Sequence, residues 1–225
     1  MRSFRAAETC GEQHMSDPAQ LYDAILTGNA KLAETVTREA LEAKIDPNEL
    51  IRQYMVPAMD EVGRRFECND YFVPELLIAA RAMKTALELI TPHLAGNASQ
   101  RAGRVVIGTV QGDLHDIGKN LVASMLEGGG FEVIDLGVDV PAEKFVEAAR
   151  EKEGTIVALS ALLTTTMNMM KRVIEALEAA GLRPSTKVMV GGAPVTQQFA
   201  DEIGADGYSD NASAAVALAR KLAGQ

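Results

Sequence analysis

The stretch Gly112-Asp113-Leu114-His115-Asp116-Ile117-Gly118-Lys119-Asn120 holds one of only three histidines in a chain of 225 residues. An aspartate two residues before a histidine on one loop can accept the Nδ1 proton of the imidazole and leave Nε2 free. That is the arrangement that orients a histidine as a metal ligand. A single protein ligand suffices where a macrocycle supplies the equatorial ones. Gly118 suits this chemistry, because at the first turn of the following helix a side chain would obstruct a large flat ring lying on these loops. Two later stretches are also distinctive: Ser160 to Thr166, rich in hydroxyls, and Gly191-Gly192-Ala193. Small residues leave a slot beside a sheet for an extended polar appendage, and the hydroxyls of Ser160 and Thr164 supply hydrogen bonds inside it.

Other chemistries fit less well. The stretch has neither the GxxxxGK[ST] spacing of a phosphate-binding loop nor GxGxxG, so no pyrophosphate cradle is specified. Asp113 and Asp116 could mimic the phosphoacceptor of a response regulator, but that leaves the histidine between them and the helical N-terminal half unexplained. There is no GxSxG elbow, and His14 and His93 give no reason to expect a triad or a zinc cluster. Cys10 and Cys68 lack CxxC spacing, which disfavours a disulfide framework and suits a reducing cytoplasm. A formal net charge of −9, with no basic patch, argues against nucleic acid or an anionic membrane as partner. No apolar run approaches the length of a membrane span, and the opening residues lack the core of a secretory signal.

The elements that must position these residues fall into two halves. From Asp17 to about Leu94 apolar residues recur at helical spacing, broken at Gly28-Asn29, Asp46-Pro47, Glu67 to Asp70 and Thr91-Pro92, which predicts four or five helices in an antiparallel bundle. Residues 1–15 are expected to be a disordered tail, 16–95 the bundle, 96–102 a linker and 103–225 a second domain. There the pattern alternates: strands over 104–110, 131–137, 155–161 and 187–192 and a short one at 206–209, with helices between them and a last helix over 212–222. Five strands alternating with helices predict a doubly wound parallel sheet in flavodoxin-like, Rossmann-like order, with ligands beyond the carboxyl ends of the strands. All three distinctive stretches lie there.

Asp-Leu-His-Asp-Ile-Gly at 113–118, followed by Ser-Ala-Leu at 160–162 and Gly-Gly at 191–192, resembles the signature of the cobalamin-binding domains of cobalamin-dependent methionine synthase and of the small corrinoid proteins of methyltransferase systems. The helical half resembles the cap that precedes that domain, so the likeness covers nearly everything after Met15. The resemblance implies that His115 is the lower ligand to cobalt, in place of the cofactor's own benzimidazole: the base-off, His-on mode. Asp113 accepts the proton of His115, and Thr166 closes the relay. Gly112, Leu114, Asp116 and Gly118 belong to the same loop. Ser160, Leu162 and Thr164 line the pocket for the displaced nucleotide tail, which Gly191, Gly192 and Ala193 border, with Ala212 at its far end. Phe66 and Val73 match the residues over the upper face of the corrin, the second position more typically holding Leu in the family.

The function implied is that of a corrinoid methyl carrier. It accepts a methyl group on Co(I) from a substrate-specific methyltransferase and hands it to a second methyltransferase, with tetrahydrofolate or coenzyme M as acceptor. Such a protein needs partner enzymes for turnover, among them a reductive activase, and works in the cytoplasm. A cobalamin-binding sensor without methyl transfer and a small mutase subunit are the alternative readings. Neither the methyl donor nor the oligomeric state is legible in the residues.

Overall fold

A computed structural model describes residues 17–94 and 102–224. The expected tail, and the expected linker apart from Ala102, lie outside them.

In the N-terminal half, α1 (Ala19–Leu26) and α2 (Ala30–Glu42) are separated at Asn29, whose side chain accepts the backbone N–H of Leu32 and so caps α2. Asp46 caps α3 (Pro47–Leu50) in the same way, with proline at its first position. This helix runs through a π-helical turn, Ile51–Met55, into α4 (Val56–Glu67). The wide turn lies immediately before Pro57, whose ring would meet a carbonyl four residues back in a regular helix. After a turn at Asn69 with φ 60°, α5 (Val73–Ile90) begins where Glu75 accepts the backbone N–H of Phe72, and it ends in a 3-10 turn, Thr91–Leu94. Each break falls at a predicted place, because each carries its own capping or turn chemistry.

The C-terminal half is a parallel sheet of β1 (Arg104–Thr109), β2 (Glu132–Asp135), β3 (Thr155–Ser160), β4 (Lys187–Gly191) and β5 (Gly207–Ser209) in the order β2-β1-β3-β4-β5. The helices between and after them are α6 (Ile117–Gly128), α7 (Ala142–Arg150), α8 (Asn168–Ala179), α9 (Gln197–Ile203) and α10 (Ala212–Leu222). This is the expected flavodoxin-like order. It places the turn after β1 beside the turn after β3, at the point where the winding reverses. The first of these helices starts at Ile117, earlier than apolar periodicity alone suggests, so the loop that carries His115 is short.

The sheet's two faces are packed differently. One face, with Val106, Val157, Leu159, Val188 and Val190, packs against α7, α8 and α9. The other, with Val105, Ile107, Ile156, Ala158 and Met189, belongs to the same apolar core as α6, α10 and the helical bundle. The halves that read as separate in sequence therefore share a core. Polar ties add to it: Lys84 Nζ lies 3.1 Å from Glu127, and Arg220 lies 2.6 Å from Asp60. At this seam Met59 packs where a side chain at Gly128 would stand, and Ser213 does the same at Gly63. No helix among the described residues is long and apolar enough to cross a membrane.

Candidate functional site

Asp113 is fully buried just past β1, and its carboxylate is saturated with donors. Oδ1 accepts the Nδ1–H of His115 at 2.8 Å and that residue's backbone N–H at 3.1 Å. Oδ2 accepts the backbone N–H groups of Leu162 and Leu163, at 2.8 and 3.2 Å, and the hydroxyl of Thr166 at 2.8 Å. Burial alone would raise its pKa. The hydrogen bonds from Leu162, His115 and Thr166 outweigh that and hold the carboxyl well below the usual carboxylate range. A carboxylate that stays charged only accepts, so Nδ1 of His115 must carry the proton. Its other nitrogen, Nε2, makes no hydrogen bond among the described residues, and the side chain is about half exposed.

The loop is fixed by further bonds. Thr109, buried at the end of β1, donates its hydroxyl to the carbonyl of His115 at 2.8 Å. Gly112 has φ +83° and donates its N–H to Asp139 at 2.7 Å, while the N–H of Asp139 donates to the carbonyl of Asp113. Around His115 stand exposed apolar side chains: Leu114, Ile117, Leu162 and Leu163, with Ile117 86% exposed. Such a cluster on an otherwise polar loop marks a surface meant to be covered.

From His115 a cavity of about 640 Å³ runs between the sheet, α6 and α10. Its floor is a row across the sheet, Ile107, Ala158 and Met189, which stand opposite one another in register. At its mouth, two residues further along the strands, are Ser160, Gly191 and Ser209. Gly192 has φ +136°, and a Cβ there would overlap the carbonyl of Ala161. Asn211 caps α10 by accepting the N–H of Ala214 at 2.8 Å, which sets Ala212 into the wall. Phe66, from the end of α4, closes the cavity on the bundle side.

Both halves of the chain match known proteins. Residues 103–217 match a family model described as a B12 binding domain, and residues 19–91 match a second model with the same description. Trimethylamine corrinoid protein 1 of Methanosarcina acetivorans is 49% identical over 206 residues, 91% of this chain and 95% of that one. Dimethylamine corrinoid protein 3 of the same organism is 45% identical over 90% of this chain and 95% of its own length. The chain belongs to the corrinoid protein family. Among solved structures, a cobalamin-binding protein from Desulfitobacterium hafniense superposes with a TM-score of 0.75 at 35% identity, covering 92% of this chain and 98% of that one. The methanol:cobalamin methyltransferase complex MtaBC from Methanosarcina barkeri gives 0.80 at 31% identity, with 95% and 81% covered.

The residues present fit the cofactor of such a corrinoid protein. A donor nitrogen held by a buried acceptor, an apolar apron around it, open space at Gly118 where a Cβ would meet nothing within 4 Å, and a slot with hydroxyls at its mouth together match a flat macrocycle with a long polar tail. Of the residues predicted for the site, Phe66, Leu114, His115, Asp116, Gly118, Ser160, Leu162, Gly191, Gly192, Ala193 and Ala212 line the cavity. Asp113 and Thr166 are buried behind it, and Gly112 supports them from the turn. Thr164 is exposed and outside the lining, and Val73 is 43% exposed at the start of α5, also outside it.

Sequence reasoning missed Thr109, Asp139, Lys119 and the floor residues. Leu163 was findable as an apolar residue in a loop with no periodic partner, and Ile117, the first residue of α6, from its place in the 113–118 stretch. Lys119 has a side chain only 2% exposed, paired with Asp135, although it sits in the first turn of a helix where lysine is ordinarily solvated.

Proposed function

We propose that His115 Nε2 is the lower axial ligand of a corrinoid bound base-off and His-on, and that the loaded chain carries methyl groups from a methylated-amine methyltransferase to a second methyltransferase. The observation that carries this reading is the pair Asp113–His115, in which a buried, charged carboxylate holds the proton on Nδ1 and leaves the Nε2 lone pair free at the edge of the cavity. The high identity to trimethylamine and dimethylamine corrinoid proteins supports methylated amines as the donor class.

A bound corrinoid supplies a cobalt centre able to take up a methyl group from one partner and yield it to another. The chain's own residues do the rest. His115 offers one neutral nitrogen, and Asp113, held charged by Leu162, Leu163 and Thr166, keeps the imidazole in that tautomer and orientation. Leu114, Ile117, Leu162 and Leu163 seat the flat face and exclude water beneath it. Ser160 and Ser209 would offer hydroxyls to a polar tail, and Ile107, Ala158 and Met189 an apolar floor beneath it. Phe66 covers from the bundle. The reading also calls for a reductive activase and a cytoplasmic place of action.

The test is to load the chain, grown with histidine labelled in heavy nitrogen, with hydroxocobalamin and reduce it to the paramagnetic cobalt state. Coordination by His115 turns the axial-nitrogen splitting from a triplet into a doublet, and His115→Ala abolishes the doublet. A triplet in the labelled protein means that the cofactor's own base is still bound, and it overturns the His-on mode. Methylation of the reduced, loaded chain by trimethylamine or dimethylamine with the cognate methyltransferase tests the donor class. Methylation by methanol and its methyltransferase alone overturns it.

A further inference from the structure

Lys119 is the one lysine among the described residues that is buried, and it stands where a cation is doubly disfavoured: out of water, and in the first turn of α6, where the helix presents its positive end. Its ammonium is paired with Asp135 at the end of β2 and lies 2.7 Å from Asn120 Oδ1. The other oxygen of Asp135 accepts the N–H of Gly137 at 2.8 Å. The carbonyl of Gly137 accepts the N–H of Thr109 at 3.0 Å, and the hydroxyl of Thr109 donates to the carbonyl of His115. Three residues of chain, Asp116, Ile117 and Gly118, then lead from His115 back to Lys119. The bonds close a ring that begins and ends at the loop carrying the histidine. Asp113 is not part of it.

We infer that Lys119 is a positioning residue for His115: through Asp135, Gly137 and Thr109 it fixes the carbonyl side of the residue from which the imidazole projects, while Asp113 holds the ring and the backbone N–H. Two independent constraints are needed because the imidazole is half exposed and makes its one protein hydrogen bond at Nδ1. Asp113 also accepts the backbone N–H of His115, but both bonds fall on one carboxylate oxygen and leave the carbonyl side of the residue to be held by Thr109. The ring of bonds ties that backbone to the ends of two strands, β1 and β2, which are the rigid parts of the site. Groups that orient a metal ligand without touching the metal commonly change ligation by about tenfold or more.

This inference rests on the His-on reading, and the experiment separates the two. Wild type, Lys119→Met, Lys119→Arg and Thr109→Val are each labelled in histidine, loaded with hydroxocobalamin and reduced. The ratio of protein with the histidine doublet to protein without axial nitrogen is then measured, together with corrinoid stoichiometry and thermal midpoint. The expected result is a ratio about tenfold lower in Lys119→Met and Thr109→Val at unchanged stoichiometry, with substantial recovery in Lys119→Arg. The Lys119→Met, Thr109→Val double variant should be no worse than either single one, since both cut the same ring. Absence of the doublet in wild type overturns the His-on reading. A normal doublet in wild type with an unaltered ratio in Thr109→Val overturns this inference, and Thr109→Val decides the matter even if the buried Lys119→Met does not fold.

Discussion

The two walls that face the cavity are made on opposite principles. The loops after β1 and β3 are held by directed bonds: Asp113 alone receives five, and Thr109, Asp139 and Asp135 add the rest. The bundle wall has a network of its own, with Glu61 accepting from Arg64 and Arg65 and Tyr71 donating to the carbonyl of Leu26, but among the described residues none of those side chains lines the cavity. It meets α6 and α10 through apolar packing and partly exposed ion pairs such as Lys84–Glu127, which contribute little in water. Its one residue in the cavity lining is Phe66, and Phe72, Val73 and Leu77 are exposed on α5 and the turn before it. Directed bonds fix atoms to a fraction of an ångström, whereas apolar contact tolerates sliding. The first suits a metal ligand; the second suits a cover that partners must displace.

That contrast can be broken most severely at Gly192. Gly192→Ala introduces a Cβ into the carbonyl of Ala161 at a backbone angle that alanine avoids, so a loss of about 4 kcal/mol or insoluble protein is expected, read by denaturant unfolding. Next is Asp113→Asn. Its new NH2 must face either His115 or the amides of Leu162 and Leu163, all donors, and a loss of about 3 kcal/mol is expected. This variant has a signature in pH. The folded value of Asp113 lies below its ordinary one, so its stabilisation is complete above about pH 4 and is lost as acid protonates it. The stability gap between wild type and Asp113→Asn should therefore narrow below about pH 4, and a gap that stays constant to pH 3 would show that the carboxylate's charge is not what the network holds. Third comes Gly118→Leu, where the added side chain meets open space. Its thermal midpoint should not fall, while corrinoid affinity drops by about thirtyfold, about 2 kcal/mol of obstruction. Equal affinity would place the flat ring elsewhere.

The same contrast explains what the sequence could and could not tell. His115, Asp113 and Gly192 were legible because their chemistry is local: a proton acceptor two residues from an imidazole, or a backbone at φ +136° that favours glycine, while Gly118 and Gly191 stood out as small residues beside them. The order of the strands was legible too, since alternation with helices leaves few ways to wind a parallel sheet. Thr109, Asp135 and Lys119 were not. Each acts across strand ends distant in sequence, and a threonine closing a strand or a lysine in a helix carries no mark of what it will meet. The shared core was hidden for a related reason. Periodicity shows that α5, α6 and α10 each have an apolar face, but not that these faces meet one another.

The smallest effect is expected on the bundle side, at Val73. This residue is 43% exposed on the first turn of α5, next to Phe72, which is 61% exposed, and neither is packed into the core. Lengthening it to leucine adds one methylene to a surface already in water, so the stability of the free chain should change by less than about 0.5 kcal/mol. If α5 reaches over the bound cofactor, that methylene is buried only in the loaded state. Burial of one methylene contributes about 0.8 kcal/mol, which slows corrinoid release up to about fourfold. The measurement is the release rate of bound hydroxocobalamin from wild type and Val73→Leu into an excess of a competing binder. Identical rates would confine the cover to Phe66, whereas slower release extends it along α5 and shows that apolar contact grips in proportion to the area it hides.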